Sequence, residues 1–343
     1  MNEYHPIQRT ITTPSEATPL SRWPLRRGFL LMPIAIALAW IALLPTAQAS
    51  SYYSYNTFTF MYQNIQRFYQ VHIPNSYSLN HATPVVMYLH GGGSNMTEAD
   101  QITYYSEKYG FILLAPQGTQ QGSSIGYTWN AGTTTVDGVV LRVGNPNIDD
   151  VGYIAQVISQ IELQYNIDPK HIYATGFSNG GAMANRLGCE LSTSIAAIAP
   201  VAASMEDACA PGIPAMPDML IHGTGDLCHP YNGGDNFPGC APGILTPVGS
   251  KFNFASAPSM NLRWISIDAC SGTQTTTYQN GAATCVTNPS CASSSQVTFC
   301  TVTGMGHTYP NGAQYLDPSL IGPVSHDISF DQIWAFFTQF SLP

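Results

Sequence analysis

The chain has 343 residues, a formal net charge of −9 and a charged fraction of only 9%. Seven basic residues stand against eighteen acidic ones after residue 49. That balance argues against nucleic acid or an anionic membrane surface as a partner. All eight cysteines lie beyond residue 188, and no C-x-x-C or H-x-x-x-H spacing suggests a metal site.

The first 49 residues do not read as fold. Arg26-Arg27 precede an apolar run, Gly28 to Leu44, which ends in Pro45-Thr-Ala-Gln-Ala49. A basic flank, an apolar core and an A-x-A site predict a secretory signal cleaved after Ala49, so the product is expected outside the cytoplasm, secreted or periplasmic. The Arg-Arg pair also fits a twin-arginine address. Residues 50–343 have the length of one α/β domain, expected to be a monomer with no membrane segment after cleavage. An even cysteine count behind an export signal predicts disulfides. Cys228 and Cys240 bracket a Gly/Pro/Asn loop and make a natural local pair.

Residues 57–62 and 67–74 alternate apolar and polar, predicting an antiparallel hairpin. Pro84 to Leu89 and Phe111 to Pro116 are continuous apolar runs, as in strands buried on both faces, with a helix between them over 98–109. A polar, Gly-rich loop follows through Trp129 and Asn130. Asp149-Asp150 then open a helix, as N-cap residues, with Val151, Ile154, Val157, Ile158 and Ile161 on one face. A strand over 170–175, a turn and a small-residue helix over 180–187 come next. Strands are expected over 194–202 and 215–222, a loop over 229–258, and a helix around Trp264. Residues 271–295, rich in Thr, Ser, Asn and Gln, read as a stapled surface excursion. A last strand spans 296–303. Ser329 and Gln332 form a capping box for a final helix that turns Ile333, Phe336, Phe337 and Phe340 inward. Strands alternating with helices predict a mostly parallel sheet covered on both faces.

The chemistry concentrates in Gly176-Phe-Ser-Asn-Gly-Gly181. A G-x-S-x-G pattern between a strand and a helix is a nucleophile elbow, whose tight turn lifts the serine hydroxyl clear of the sheet. Serine is a weak nucleophile at neutral pH and needs a base, oriented in turn by an acid. In this architecture the partners follow in the order Ser, Asp/Glu, His. Among the later acids only Asp226, in Leu220-Ile-His-Gly-Thr-Gly-Asp226, falls just past the carboxyl end of a buried strand, where ligands gather. His307 follows the last strand. His229 is too near Asp226 in sequence to be the base, and His326 lies in a polar segment leading to the final helix. Ser178, Asp226 and His307 are therefore the expected nucleophile, acid and base. The expected oxyanion donors are the backbone N–H of Asn179 and those of Gly91 and Gly92, in the His90-Gly-Gly-Gly93 loop after an early strand. Trp129 and Asn130 are expected at the same sheet edge, with an exposed Trp129 ring able to stack on an acyl group. No cofactor is required by this chemistry.

Taken together, His90-Gly-Gly-Gly93, Ala115-Pro116, Trp129-Asn130, Asp149-Asp-Val-Gly152, Gly176 to Gly181, Ala199-Pro-Val201, His222 to Asp226 and Gly304-Met-Gly-His-Thr-Tyr-Pro310 resemble a secreted α/β-hydrolase esterase family. That family holds polyhydroxybutyrate depolymerases, feruloyl esterases and acetyl xylan esterases. The resemblance implies an α/β-hydrolase fold and the same triad. It also implies Cys189–Cys209 and Cys270–Cys291 bridges, a mouth that includes His90 and Tyr309, and an ester as substrate. Tyr309 stands where the family often has Trp, and Cys228, Cys240, Cys285 and Cys300 look additional. The leading expectation is a polyester depolymerase-like enzyme, with a feruloyl or acetyl xylan esterase as the alternative. A peptidase would need acidic residues placed to receive an amine terminus. A non-catalytic polymer-binding protein on the same scaffold would be expected to lack part of the triad.

Overall fold

Alternation decides how this chain folds. In Thr83–Leu89 the side chains of Val85, Met87 and Leu89 enter one apolar core, and those of Val86 and Tyr88 enter a second core on the opposite face. A strand turned both ways into apolar surroundings needs helices over both faces. The computed structural model describes residues 53–120, 126–136, 139–143, 145, 147–205, 209–235 and 253–343. The expected export signal and Cys240 lie outside the described residues.

Among the described residues, ten strands build the central sheet. They are β1 (Asn56–Tyr62), β2 (Ile65–His72), β3 (Thr83–Leu89), β4 (Ile112–Pro116), β5 (Ile167–Phe177), β6 (Ala197–Val201), β7 (Asp218–Gly223), β8 (Thr275–Asn280), β9 (Ala283–Asn288) and β10 (Val297–Val302). Their order is β1-β2-β4-β3-β5-β6-β7-β10-β9-β8. The six strands from β4 to β10 in that order run parallel, and the two outer pairs at each edge are antiparallel. The β1–β2 turn is tight because Gln63 and Asn64 both adopt positive φ, which suits the twist of a two-residue hairpin. Two small hairpins, Thr119–Gln120 with Tyr127–Thr128 and Gly132–Val136 with Val139–Val143, lie in the stretch expected as loop.

The helices are α1 (Asp100–Tyr109), α2 (Asp150–Gln164), α3 (Asn179–Glu190), α4 (Ala257–Ile267), α5 (Pro318–Ile321) and α6 (Phe330–Phe337). Helices α2, α3 and α4 contribute Ile154, Ile158, Met183, Leu187, Met260 and Trp264 to the first core. Helices α1 and α6 contribute Ile102, Tyr105, Ile333 and Phe337 to the second. Ser329 and Gln332 make the expected capping box at the start of α6.

Residues 271–295 correct the sequence reading. They are not a surface excursion: β8 and β9 continue the main sheet beyond β10. Strand β8, Thr275-Thr-Thr-Tyr-Gln-Asn280, is almost wholly exposed, so it shows none of the apolar alternation that marks a half-buried strand. Its β-branched threonines suit an extended edge whose polar surface discourages further pairing. Cys285 and Cys300 face each other across β9 and β10 and are bonded, and Cys270–Cys291 closes the base of the segment that holds β8 and β9. Cys189–Cys209 is the third described bridge. Cys228 is also disulfide-bonded.

Candidate active site

Strand β5 ends at Phe177 and α3 begins at Asn179, so Ser178 alone makes the turn. It sits at φ 55° and ψ −119°, a region that costs a non-glycine residue free energy and persists only when the surroundings fix it. Two backbone bonds do so: Ser178 N–H donates to Val201 O and Ala182 N–H donates to Ser178 O, each at 2.9 Å. The flanking glycines are required by close approach. A Cβ on Gly180 would lie 2.0 Å from Leu89 O, and one on Gly176 would lie 2.4 Å from Gly180 O.

Asp226 follows β7 and His307 follows β10, so neighbouring parallel strands deliver both to the same sheet edge. His307 Nε2 lies 2.9 Å from Ser178 Oγ, and His307 Nδ1 lies 2.8 Å from Asp226 Oδ2. Asp226 and His307 are buried, and Ser178 is half-buried. The other carboxylate oxygen, Oδ1, accepts from Cys228 N–H at 2.8 Å and His229 N–H at 2.7 Å. His222 Nε2 approaches Oδ2 at 3.4 Å while donating to His229 O at 2.8 Å. Burial acts to raise the Asp226 pKa, but His307 and His222 outweigh it and hold the carboxyl below the ordinary range. Asp226, Cys228 and His307 lie close enough to hold a metal ion. However, the Cys228 sulfur is in a disulfide and offers no thiolate.

The helix start provides donors. Asn179 is locked in place by its side chain: Trp129 N–H donates to Asn179 Oδ1 at 2.7 Å and Asn179 Nδ2 donates to Trp129 O at 3.1 Å. Its backbone N–H is one of the orphan donors of α3. In the glycine loop, Gly91 N–H is committed to Glu98 Oε2 at 3.1 Å and Gly93 N–H to Tyr127 O at 2.8 Å. Gly92 N–H meets no protein acceptor among the described residues. Of the two expected loop donors, the free one is therefore Gly92, not Gly91.

The four residues expected at the substrate mouth are all buried and act as framework. Trp129 is fully enclosed rather than exposed, and its Nε1–H donates to His90 O at 3.0 Å. His90 is also enclosed. Its Nε2 accepts from Gly118 N–H at 3.0 Å, which assigns the Nδ1 proton to its 2.8 Å bond with Gly91 O. Burial pushes this imidazole down to about 4, so it is neutral. Asn130 N–H donates to Asp150 Oδ2, its side chain donates to Ile148 O, and Arg186 donates to its carbonyl, each at 2.7 Å. The Tyr309 hydroxyl pairs with Thr175 Oγ1 at 3.2 Å beneath the elbow. The two acids of Asp149-Asp150 also divide. Asp149 caps α2 by accepting from Gly152 N–H, whereas Asp150 forms a buried ion pair with Arg67 at 2.6 Å.

Glu98, Phe177, His222 and Tyr315 were not expected at this site. The Phe177 ring lies 4.7 Å from the His307 ring and 5.9 Å from that of Tyr315, which is 48% exposed. Glu98 was hidden in Asn95-Met-Thr-Glu98, whose spacing mimics a capping box. Asn95 does cap the short 3₁₀ turn Met96–Ala99, but the Glu98 side chain reaches to Tyr88 and Gly91 instead.

No protein-family model matches the chain. Its sequence is similar to feruloyl esterase B of Piromyces equi, with 29% identity over 286 residues, covering 80% of this chain and 45% of that protein. It is also similar to feruloyl esterase C of Emericella nidulans, with 28% identity over 168 residues, covering 49% of this chain and 58% of that one. The chain thus spans about half the length of these curated relatives. Among solved structures, an acetyl xylan esterase from Aspergillus awamori superposes with a TM-score of 0.53 at 14% identity, covering 79% of this chain and 94% of that one. The fold is an α/β-hydrolase fold: a mostly parallel sheet, helices on both faces, and disulfide bridges. The comparisons bear out the esterase part of the resemblance read from the motifs. Polyhydroxybutyrate depolymerases are not among the relatives named here. No helix of the described residues is long and apolar enough to cross a membrane.

Proposed function

We propose that the protein is a carboxylic-ester hydrolase with Ser178 as nucleophile, His307 as general base and acid, and Asp226 as the group that orients it. The observation that carries this reading is the line of hydrogen bonds from Asp226 Oδ2 through His307 to Ser178 Oγ, at 2.8 and 2.9 Å, ending at the first turn of α3. In the proposed reaction His307 Nε2 takes the hydroxyl proton as Ser178 Oγ bonds to the ester carbonyl carbon. The carbonyl oxygen becomes an oxyanion, received by the N–H groups of Asn179 and Gly92. The tetrahedral adduct collapses, the C–O bond breaks, and the alcohol leaves with the proton from His307. Water, deprotonated by His307, then attacks the acyl-serine; the bond to Ser178 Oγ breaks, His307 returns the proton to that oxygen, and the acid leaves. Asp226 stabilises the imidazolium formed in each half of the cycle.

For the substrate, the names of the relatives outweigh the polyester expectation. We assign ferulate or acetate esters carried on plant polysaccharide. Residues 1–49 serve as the export signal, and the described disulfides suit an oxidising destination.

The test is a hydrolysis panel with the mature protein and Ser178→Ala side by side, on nitrophenyl acetate, methyl ferulate, acetylated xylan and poly(3-hydroxybutyrate). The reading expects turnover that vanishes in the alanine variant, with methyl ferulate or acetylated xylan preferred. Wild type as inert as Ser178→Ala on every ester would overturn it in favour of a binding protein. A preference for the polyester would overturn the substrate assignment alone.

A further inference from the structure

Glu98 is an acid beside this site that takes no part in the proton transfers above. Its oxygens are turned inward: Oε1 accepts from the Tyr88 hydroxyl at 2.9 Å and Oε2 accepts from Gly91 N–H at 3.1 Å. Tyr88 is buried in β3 and is itself held by the Gln101 side chain of α1, so the carboxylate rests on a rigid strand and helix. Gly91 is wedged between this carboxylate and the elbow. A Cβ added there would lie 3.2 Å from the Phe177 ring and 3.6 Å from Glu98 Oε2. The Phe177 ring in turn lies against the His307 ring, tilted by 45°.

We propose that Glu98 is a positioning residue for ester hydrolysis: it fixes the Gly91 peptide so that Gly92 N–H faces the oxyanion. The inference rests on the esterase reading above.

The clamp does not need a charge: burial raises the Glu98 carboxyl above its ordinary value, and either protonation state leaves an oxygen able to accept from Gly91 N–H.

Two variants test the clamp. Glu98→Gln removes the charge but keeps an acceptor for Gly91 N–H, since the Tyr88 hydroxyl can rotate to accept from the new amide. Glu98→Leu removes both. The readout is kcat and KM against pH for both variants, wild type and Ser178→Ala, on the best ester of the panel. Glu98→Gln should keep kcat within about threefold of wild type, because its Oε1 still accepts from Gly91 N–H. Glu98→Leu should lose kcat on the order of tenfold or more, with KM within about twofold. Equal kcat in Glu98→Gln and Glu98→Leu overturns the proposal, as does a Glu98→Leu loss that falls on KM rather than kcat. A merely structural role would lower the folded fraction seen by thermal melting and leave kcat per folded molecule unchanged. Turnover in wild type but not in Ser178→Ala keeps the esterase reading intact whichever way Glu98 falls.

Discussion

Replacing Arg67 by methionine should destabilise the protein far more than an ordinary surface change. The guanidinium is buried, 2.6 Å from Asp150 Oδ1 and 3.1 Å from Gln117 O, with its central carbon 3.6 Å above the Tyr153 ring. Without it, the Asp150 carboxylate stays fully buried, and Asn130 N–H is the one other donor it is shown to hold. Removing one partner of a buried ion pair costs about 3–5 kcal/mol, chiefly through the uncompensated charge left behind. Against a typical total stability of about 5–15 kcal/mol, that is a large fraction. Arg67→Met with Asp150→Asn should recover at least about half of the loss. The asparagine keeps an acceptor for Asn130 and carries no charge. Activity should fall as well, because Asp150 holds Asn130, and the adjoining Trp129 backbone holds Asn179. Urea unfolding followed by circular dichroism gives the four free energies of the cycle. An Arg67→Met protein within about 1 kcal/mol of wild type, or a double variant no more stable than that single one, would refute the reasoning.

Two further outcomes follow from packing and titration. Gly180→Ala places a methyl group 2.0 Å from Leu89 O and 2.5 Å from His90 O, both backbone atoms that cannot yield cheaply. It should reduce kcat/KM by about a hundredfold or more, because nucleophile and oxyanion loop are pushed apart. Gly212→Ala, with open space around it and φ +78°, should cost only about 1 kcal/mol of backbone strain and leave kcat/KM unchanged. Asp268 is buried, and burial pushes its carboxyl up to about 6, against bonds from Ser295 and Met216 that favour ionisation. The folded state therefore keeps a proton that the unfolded chain releases. Stability from this group is full below its ordinary pKa and is lost as pH rises through about 6, by up to roughly 3 kcal/mol. Asp268→Asn should gain melting temperature relative to wild type as pH rises from 4 to 7. A difference that stays constant with pH would contradict this.

What the sequence revealed about the site was whatever local chemistry had to repeat in a motif. Ser178 is legible because the elbow needs glycines at 176 and 180. Asp226 and His307 are legible because each follows the end of an apolar strand. The capping box at Ser329 needs only four residues. Properties set by distant chain were less visible. Trp129 looks like an exposed ring in a polar loop, but the His90 carbonyl, 39 residues earlier, draws its indole N–H inward. The role of Glu98 depends on Tyr88 and Gly91, and its local spacing points to a different bond. Strand β8 carries almost no apolar signal, since its place at the sheet edge comes from pairing with β9.

The most direct test of the central claim is covalent trapping of the nucleophile. The mature protein is treated with an alkyl phosphonate that reacts with activated serine, alongside Ser178→Ala and His307→Asn, then digested and analysed by mass spectrometry. The account predicts one adduct on the peptide carrying Ser178 in wild type, no adduct in Ser178→Ala, and labelling slowed by several orders of magnitude in His307→Asn. Labelling on another serine, or equal labelling of wild type and His307→Asn, would contradict it.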